Sequence, residues 1–174
     1  MSAVDIPPFR IEILGANHNR TSFHCGVPEL DAYFHLQAGQ DTRRHAATCF
    51  VLIAQAGDIA GYYTLSSYAL QLREVPEAAA KKLPRYPLLP ATLVGRLAVS
   101  QAFRGLGLGR ILLLDALERS WKHASEVASI GVVVEALDEA ARQFYLHHEF
   151  QPVRDHPDKL VLWMKTIEKL FTSI

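Results

Sequence analysis

The stretch Phe103-Arg104-Gly105-Leu106-Gly107-Leu108-Gly109-Arg110 sets three glycines at alternate positions between an apolar run and a leucine-rich segment. A glycine-rich turn leading from a strand into a helix presents successive N–H groups at the helix N-terminus, where unpaired donors and the helix dipole favour phosphate. Glycine suits such a turn because a β-carbon would hinder the approach of the anion. The spacing excludes two common versions of the motif. No Lys-Ser or Lys-Thr follows the last glycine, as a Walker loop requires, and no glycine stands three residues beyond Gly109, as a Rossmann fingerprint requires. What remains is Arg104-x-x-Gly107-x-Gly109, either a phosphate-binding turn or an ordinary strand-to-helix connection.

Other chemistry is sparse. Cys25 and Cys49 have no metal-type Cys or His partners in the sequence, which argues against a zinc site and a disulfide framework and points to a reducing, cytoplasmic setting. His147 and His148 are adjacent, so they do not share a helical face and do not make a paired ligand set. With 18 basic and 18 acidic residues the chain is formally neutral, so an anionic partner has to be met by a local basic patch. The start, MSAVDIPPFR, lacks the basic and apolar regions of a signal peptide, and no apolar run nears the roughly 20 residues of a membrane span.

The elements that must hold the glycine turn follow from periodicity. At 174 residues and 49% hydrophobic content the chain (1–174) reads as a single domain with one buried core. Residues 9–14 alternate as a first strand. A helix begins near Pro28, with Leu30, Tyr33, Phe34 and Ala38 at helical spacing. Residues 48–55 and 59–72 form a hairpin around Ala-Gly-Asp. Residues 76–92, with four prolines and the basic cluster Lys81, Lys82 and Arg85, read as a short helix followed by an irregular loop. Residues 92–99 are apolar except for Arg96 and read as a central strand covered on both faces. Over 110–123 a polar stripe (Asp115, Glu118, Arg119, Lys122) opposes an apolar one (Ile111, Leu114, Leu117, Trp121), the pattern of a helix packed on a sheet. Residues 128–137 are a buried strand, Asp138 caps a helix over 139–148, and the segments around 150–155 and 159–167 read as two more strands. The sum is a mixed α/β sheet.

Taken together, Arg104-x-x-Gly107-x-Gly109 after "RLAV" and "EALDEAARQFYLHHEF" (135–150) closely resemble the GCN5-related N-acetyltransferases (GNAT). The resemblance runs from about Thr48 to Lys165. It implies the GNAT fold, an α/β architecture with a mixed, mostly antiparallel central sheet and helices on both faces. It also implies an acetyltransferase using acetyl-coenzyme A and no metal. Residues Arg104, Gly105, Leu106, Gly107, Leu108, Gly109 and Arg110 would hold the coenzyme's diphosphate through backbone amides, and Leu97, Ala98 and Val99 would pair with its pantetheine arm. One departure is visible: Glu149 precedes Phe150 where the family usually has glycine, which bears on the helix cap.

Acetyl transfer to an amine needs a neutral amine, stabilisation of the carbonyl oxygen and a proton for the departing thiolate. Tyr145 falls at the position of the family's proton-donating tyrosine and is the candidate general acid; a core aromatic with a satisfied hydroxyl is the alternative. A backbone N–H near Val99 would polarise the carbonyl. An α-amine with a pKa of roughly 8 is partly neutral already, so an ordered water, held for instance by Glu135, suffices as base.

Within the family, "FHCGVPELDAYF" (23–34), "GYYTLSS" (61–67), "RYPLLPATLVGRLAV" (85–99) and "FYLHHEF" (144–150) resemble the blocks shared by the GNAT toxins of bacterial toxin–antitoxin pairs. That resemblance implies acetylation of the α-amino group of aminoacyl-tRNA, a block of translation, a ribbon-helix-helix antitoxin as partner and a homodimer. Arg43, Arg44, Lys81, Lys82, Arg85 and Arg96 are the candidate tRNA contacts. Two other readings stay open: an acetyltransferase of small or peptide amines whose pocket uses the 73–92 segment, with only Glu74 and Glu77 to supply acid, and a non-enzymatic repressor component acting with the antitoxin on DNA.

Overall fold

The computed structural model describes residues 9–173; the eight N-terminal residues, read above for the lack of a leader, lie outside the described residues. The strands are β1 (Arg10–Ile13), β2 (Thr48–Ile53), β3 (Ile59–Gln71), β4 (Leu88–Val99), β5 (Gly131–Glu135), β6 (Gln151–Val153) and β7 (His156–Trp163). The helices are α1 (Pro28–Leu36), α2 (Ala38–Arg43), α3 (Glu77–Ala80), α4 (Leu108–His123), α5 (Glu139–His147) and α6 (Met164–Thr172). The sheet is mixed and mostly antiparallel, in the order β1-β2-β3-β4-β5-β7-β6. The chain forms two compact units, Met1–Ser66 with Arg96–Ala116 and Ser67–Gly95 with Leu117–Ile174.

In the first unit, β1 and β2 pair antiparallel and β2 pairs with the start of β3 around a turn in which Gly57 takes φ +92°. The core is aromatic. Phe34 stacks on Tyr62 at 4.5 Å, Phe23 meets both rings, and the Tyr62 hydroxyl is satisfied by donating to the Leu30 carbonyl at 2.8 Å. Gly61 is needed for close approach: a β-carbon there would lie 2.9 Å from the Ala98 carbonyl oxygen and 2.8 Å from Leu112 Cδ1.

In the second unit, β4 and β5 pair in parallel through Thr92 with Val132, Leu93 with Val133 and Val94 with Val134. β5 then pairs antiparallel with β7, and β7 with the short β6. The core gathers Leu70, Val75, Leu89, Ala91, Val133, Val153 and Val161. Asp138 caps α5 as expected, accepting from Ala141 N at 2.8 Å.

Three sequence expectations change. β4 begins at Leu88, inside the expected irregular loop, because Leu88, Leu89, Pro90 and Ala91 alternate exposed and buried; the Pro90 carbonyl still serves as acceptor for Ile130 N at 2.8 Å. The buried face of α4 is Leu108, Leu112, Leu113, Ala116, Leu117 and Ser120, while Ile111 is 40% exposed and Leu114 half-buried. Residues 111–114 are apolar on every side, so the stripe could not be phased from them. The expected strand over 159–167 ends as β7 at Trp163, and residues 164–167 belong instead to helix α6. Ile167 is buried with Met164 and Phe171 half-buried beside it at helical spacing, and Phe171 stacks on Trp121 at 5.6 Å.

Candidate active site

The chain leaves β4 through a short 3₁₀ turn, Gln101–Phe103, and enters α4 at Leu108. Gly105 and Gly107 both take left-handed backbone conformations, φ +82° and +73°, which cost a side-chain-bearing residue roughly 1–2 kcal/mol. No atom lies within 4 Å of a β-carbon built on either, so the turn opens outward. Residues 104–107 are exposed and Leu108 is buried, which fixes the helix start against the core of its unit while its first-turn N–H groups, having no intrahelical acceptors, remain available. The sixteen-residue α4 supplies a dipole whose positive end sits at this turn. The residues present therefore fit a diphosphate. Ahead of the turn, Ala98 is buried and Leu97 and Val99 are half-buried on β4.

Arg104 does not point freely into that opening: its Nη2 donates to the Cys25 carbonyl at 2.5 Å. Arg96 is likewise engaged, its guanidinium carbon 3.5 Å from the centre of the Tyr33 ring and its backbone N–H donating to Thr64 Oγ1 at 3.1 Å. The Tyr33 hydroxyl in turn donates to Asp41 at 2.8 Å. Arg96 is thus a stacked structural cation, consistent with its place in an apolar strand. Arg43 and Arg44, at the end of α2, are exposed.

Tyr145, on α5, is 7% exposed and packed between Phe144 (5.2 Å between ring centres) and Phe150 (5.4 Å). Burial alone pushes its phenol well above the ordinary range, so it holds its proton throughout neutral pH. Among the described residues nothing hydrogen-bonds to its hydroxyl, which leaves that proton uncommitted. The helix end locks this side chain. Glu149 takes φ +70° and completes a Schellman cap, with Phe150 N donating to the Tyr145 carbonyl and Glu149 N to the Leu146 carbonyl, both at 3.1 Å. The Phe150–Tyr145 ring contact is the apolar contact that accompanies such a cap. Glu149 therefore keeps the cap geometry that glycine would supply, at some cost in backbone strain. His148 is half-buried, its Nδ1 2.8 Å from the Phe144 carbonyl, and packs at the helix end.

The remaining candidates in the second unit are spread out. Lys81, Lys82 and Arg85 are exposed, and Lys82 joins Lys165 and Lys169 on a groove of about 550 Å³ floored by Leu83, Ile130, Trp163 and Met164. Glu135, at the end of β5, is exposed. Glu74 is buried and held by Lys159 at 3.2 Å and His156 at 3.6 Å, so it is not a free acid for an amine pocket. The described residues contain no group of three or more His, Cys, Asp or Glu placed to hold a metal, and no helix long and apolar enough to cross a membrane.

Asp31 and Gly26 were given no role from sequence: the Asp31 carboxylate accepts from Cys25 N at 2.8 Å and Gly26 N at 3.4 Å, and only Pro28 had marked a helix start there.

Comparison with known proteins adds to this geometry. The profile of the acetyltransferase (GNAT) domain matches residues 45–152. A tRNA-acetylating toxin of Mycobacterium tuberculosis is 33% identical over 150 residues, 86% of this chain and 89% of that protein. The structure of AtaT complexed with acetyl-methionyl-tRNAfMet superposes with a TM-score of 0.88 at 29% identity, covering 95% of this chain and all of the other. A mutant AtaT bound to the C-terminus of the antitoxin AtaR and to acetyl-CoA gives a TM-score of 0.81 at 27% identity, covering 94% and 98% of the two chains.

Proposed function

The chain belongs to the GNAT acetyltransferase family, an acyltransferase using acetyl-coenzyme A, and from that membership we propose that it is a toxin that acetylates the α-amino group of aminoacyl-tRNA and so blocks translation. The observation that carries this reading is the likeness along nearly the whole chain to AtaT, a toxin solved in complex with acetyl-methionyl-tRNAfMet. The family's acyl donor supplies a thioester-activated acetyl group when bound.

In this reading the residues of the chain take the following roles. Gly105, Gly107 and the first turn of α4 offer N–H groups to the diphosphate, and Leu97, Ala98 and Val99 line the pantetheine arm. Tyr145 Oη delivers its proton to the departing sulfur. A thiolate whose thiol has a pKa of roughly 8.5 is a weaker base than a phenolate, but at neutral pH a protonated phenol close to the sulfur lowers the barrier to its departure. The acceptor amine, with a pKa of roughly 8, reacts in its neutral fraction and passes its proton to water, from which the Tyr145 phenolate regains the proton it gave to the sulfur. Exposed Arg43, Arg44, Lys81, Lys82 and Arg85 are the RNA phosphate contacts in this reading. Arg96, stacked on Tyr33, supports the fold instead.

Pairing of Glu74 with Lys159 counts against a small-amine enzyme with an acidic pocket, because the buried carboxylate of the 73–92 segment is already neutralised. An antitoxin of the ribbon-helix-helix class, a homodimeric state and a cytoplasmic location complete the proposal. The test is incubation of the protein with acetyl-CoA and charged total tRNA, followed by mass spectrometry of the aminoacyl-adenosine released by nuclease. A mass gain of one acetyl group on the aminoacyl end is expected; transfer only to free amines or peptides would overturn the tRNA reading.

A further inference from the structure

The segment entering the glycine turn is clasped by a second loop 79 positions away in sequence. Residues 24–26 form a tight bend in which Gly26 takes φ +89°. Three donations tie it to the strand exit: Gln101 N to the His24 carbonyl at 2.7 Å, Ser100 Oγ to the same oxygen at 3.4 Å, and Arg104 Nη2 to the Cys25 carbonyl at 2.5 Å. The bend is held from its other side by Asp31 of α1. That buried carboxylate accepts from Cys25 N at 2.8 Å and Gly26 N at 3.4 Å, with His24 Nδ1 also at 3.4 Å. α1 is itself fixed by fully buried Phe34 in the aromatic core.

We infer that Asp31 is a positioning residue for acetyl-CoA binding, acting through the 24–26 bend and Arg104 on the glycine turn, and that the Arg104 side chain serves as the brace of this turn and not as a phosphate ligand. The physical reason is connectivity. Gly105 and Gly107 have conformational freedom that favours the nest only if its ends are pinned. One end is pinned by Leu108 in the core; the other is Arg104, one bond from Gly105, and its anchor is a carbonyl whose own peptide group is oriented by Asp31. Charge-assisted bonds from backbone N–H to a buried carboxylate are the stronger kind, suited to fixing a bend. Burial works to raise the Asp31 pKa, but the Cys25 and Gly26 donors outweigh it and hold the carboxyl ionised, below the usual carboxylate range.

The inference rests on the glycine turn being the coenzyme's diphosphate site. Asp31→Asn and Arg104→Gln are each expected to raise the calorimetric Kd and the KM for acetyl-CoA about tenfold, the loss of one well-placed bond to a charged group, while kcat at saturation holds. The double variant should also lose about tenfold, because both changes release one brace; a hundredfold, additive loss would make Arg104 an independent phosphate ligand and overturn the inference. Amide hydrogen exchange on the protein without ligand reads the brace directly. Faster exchange over 105–108 in both variants supports it, and unchanged exchange there refutes it even if acetyl-CoA binding proves weak in the wild type. Should Asp31→Asn fail to fold, exposed Arg104→Gln tests the same brace alone.

Discussion

Replacing Tyr145 by phenylalanine separates chemistry from architecture at one atom. The ring contacts with Phe144 and Phe150 are made by carbon and survive the change. No described residue donates to or accepts from the hydroxyl, so its removal orphans no partner, and stability should shift by no more than about 0.5 kcal/mol. A positioned general acid contributes about 10²–10⁴ in rate, or roughly 2.7–5.4 kcal/mol of barrier. The expected result is therefore a fall in kcat of at least a hundredfold in the charged-tRNA assay, with the melting temperature and the Kd for acetyl-CoA essentially retained. A Phe variant within about threefold of wild-type kcat would refute the assignment of Tyr145 as proton donor. The pH profile supplies a second check. Because burial raises the phenol's pKa, the proton-bearing form persists above the usual phenol range of about 10, and wild-type kcat should show no descending limb from Tyr145 between about pH 7 and 9.5. The same sign applies to stability. The folded state binds this proton more tightly than the unfolded chain, so the contribution is complete below about pH 10 and is lost as pH rises through the higher folded value.

Two further substitutions test the turn and the cap. Gly107→Glu puts bulk and negative charge into a left-handed position that faces open space; calorimetry should find acetyl-CoA binding abolished, while a strain of about 1–2 kcal/mol lowers the melting temperature by only about 2–8 °C. Unchanged affinity in the folded variant would make the turn purely structural. Glu149→Gly should raise the melting temperature by about 2–4 °C by relieving roughly 1 kcal/mol of left-handed strain at the cap below Tyr145, a gain read by scanning calorimetry. A lowered melting temperature would mean that the Glu149 side chain contributes more than the strain removes.

Much of this protein was legible in its sequence because the deciding physics is local. The glycine spacing alone specified a turn able to adopt left-handed conformations at a helix start, and Gly105 and Gly107 do so. Asp138 announced the α5 cap, and apolar runs bounded by turn residues announced β2, β3 and β5. The family blocks at 103–110 and 135–150 then tied those elements to acetyl transfer. Tertiary structure decided what local pattern leaves degenerate. Four consecutive apolar residues, Ile111 to Leu114, cannot say which face of α4 is buried; the neighbouring β3, approaching closely at Gly61, does. Pro90 masked the start of β4, and the apolar run from Lys159 to Ile167 concealed the change at Met164 from strand to the helix whose Phe171 stacks on Trp121. Above all, the sequence marks Arg96 as a candidate RNA contact and Arg104 as the first residue of the glycine turn without naming a side-chain partner for either, whereas folding stacks one on Tyr33 and ties the other to Cys25. A charge's partner is chosen by distance in space, and at separations of 63 and 79 positions along the chain only the packed core sets that distance.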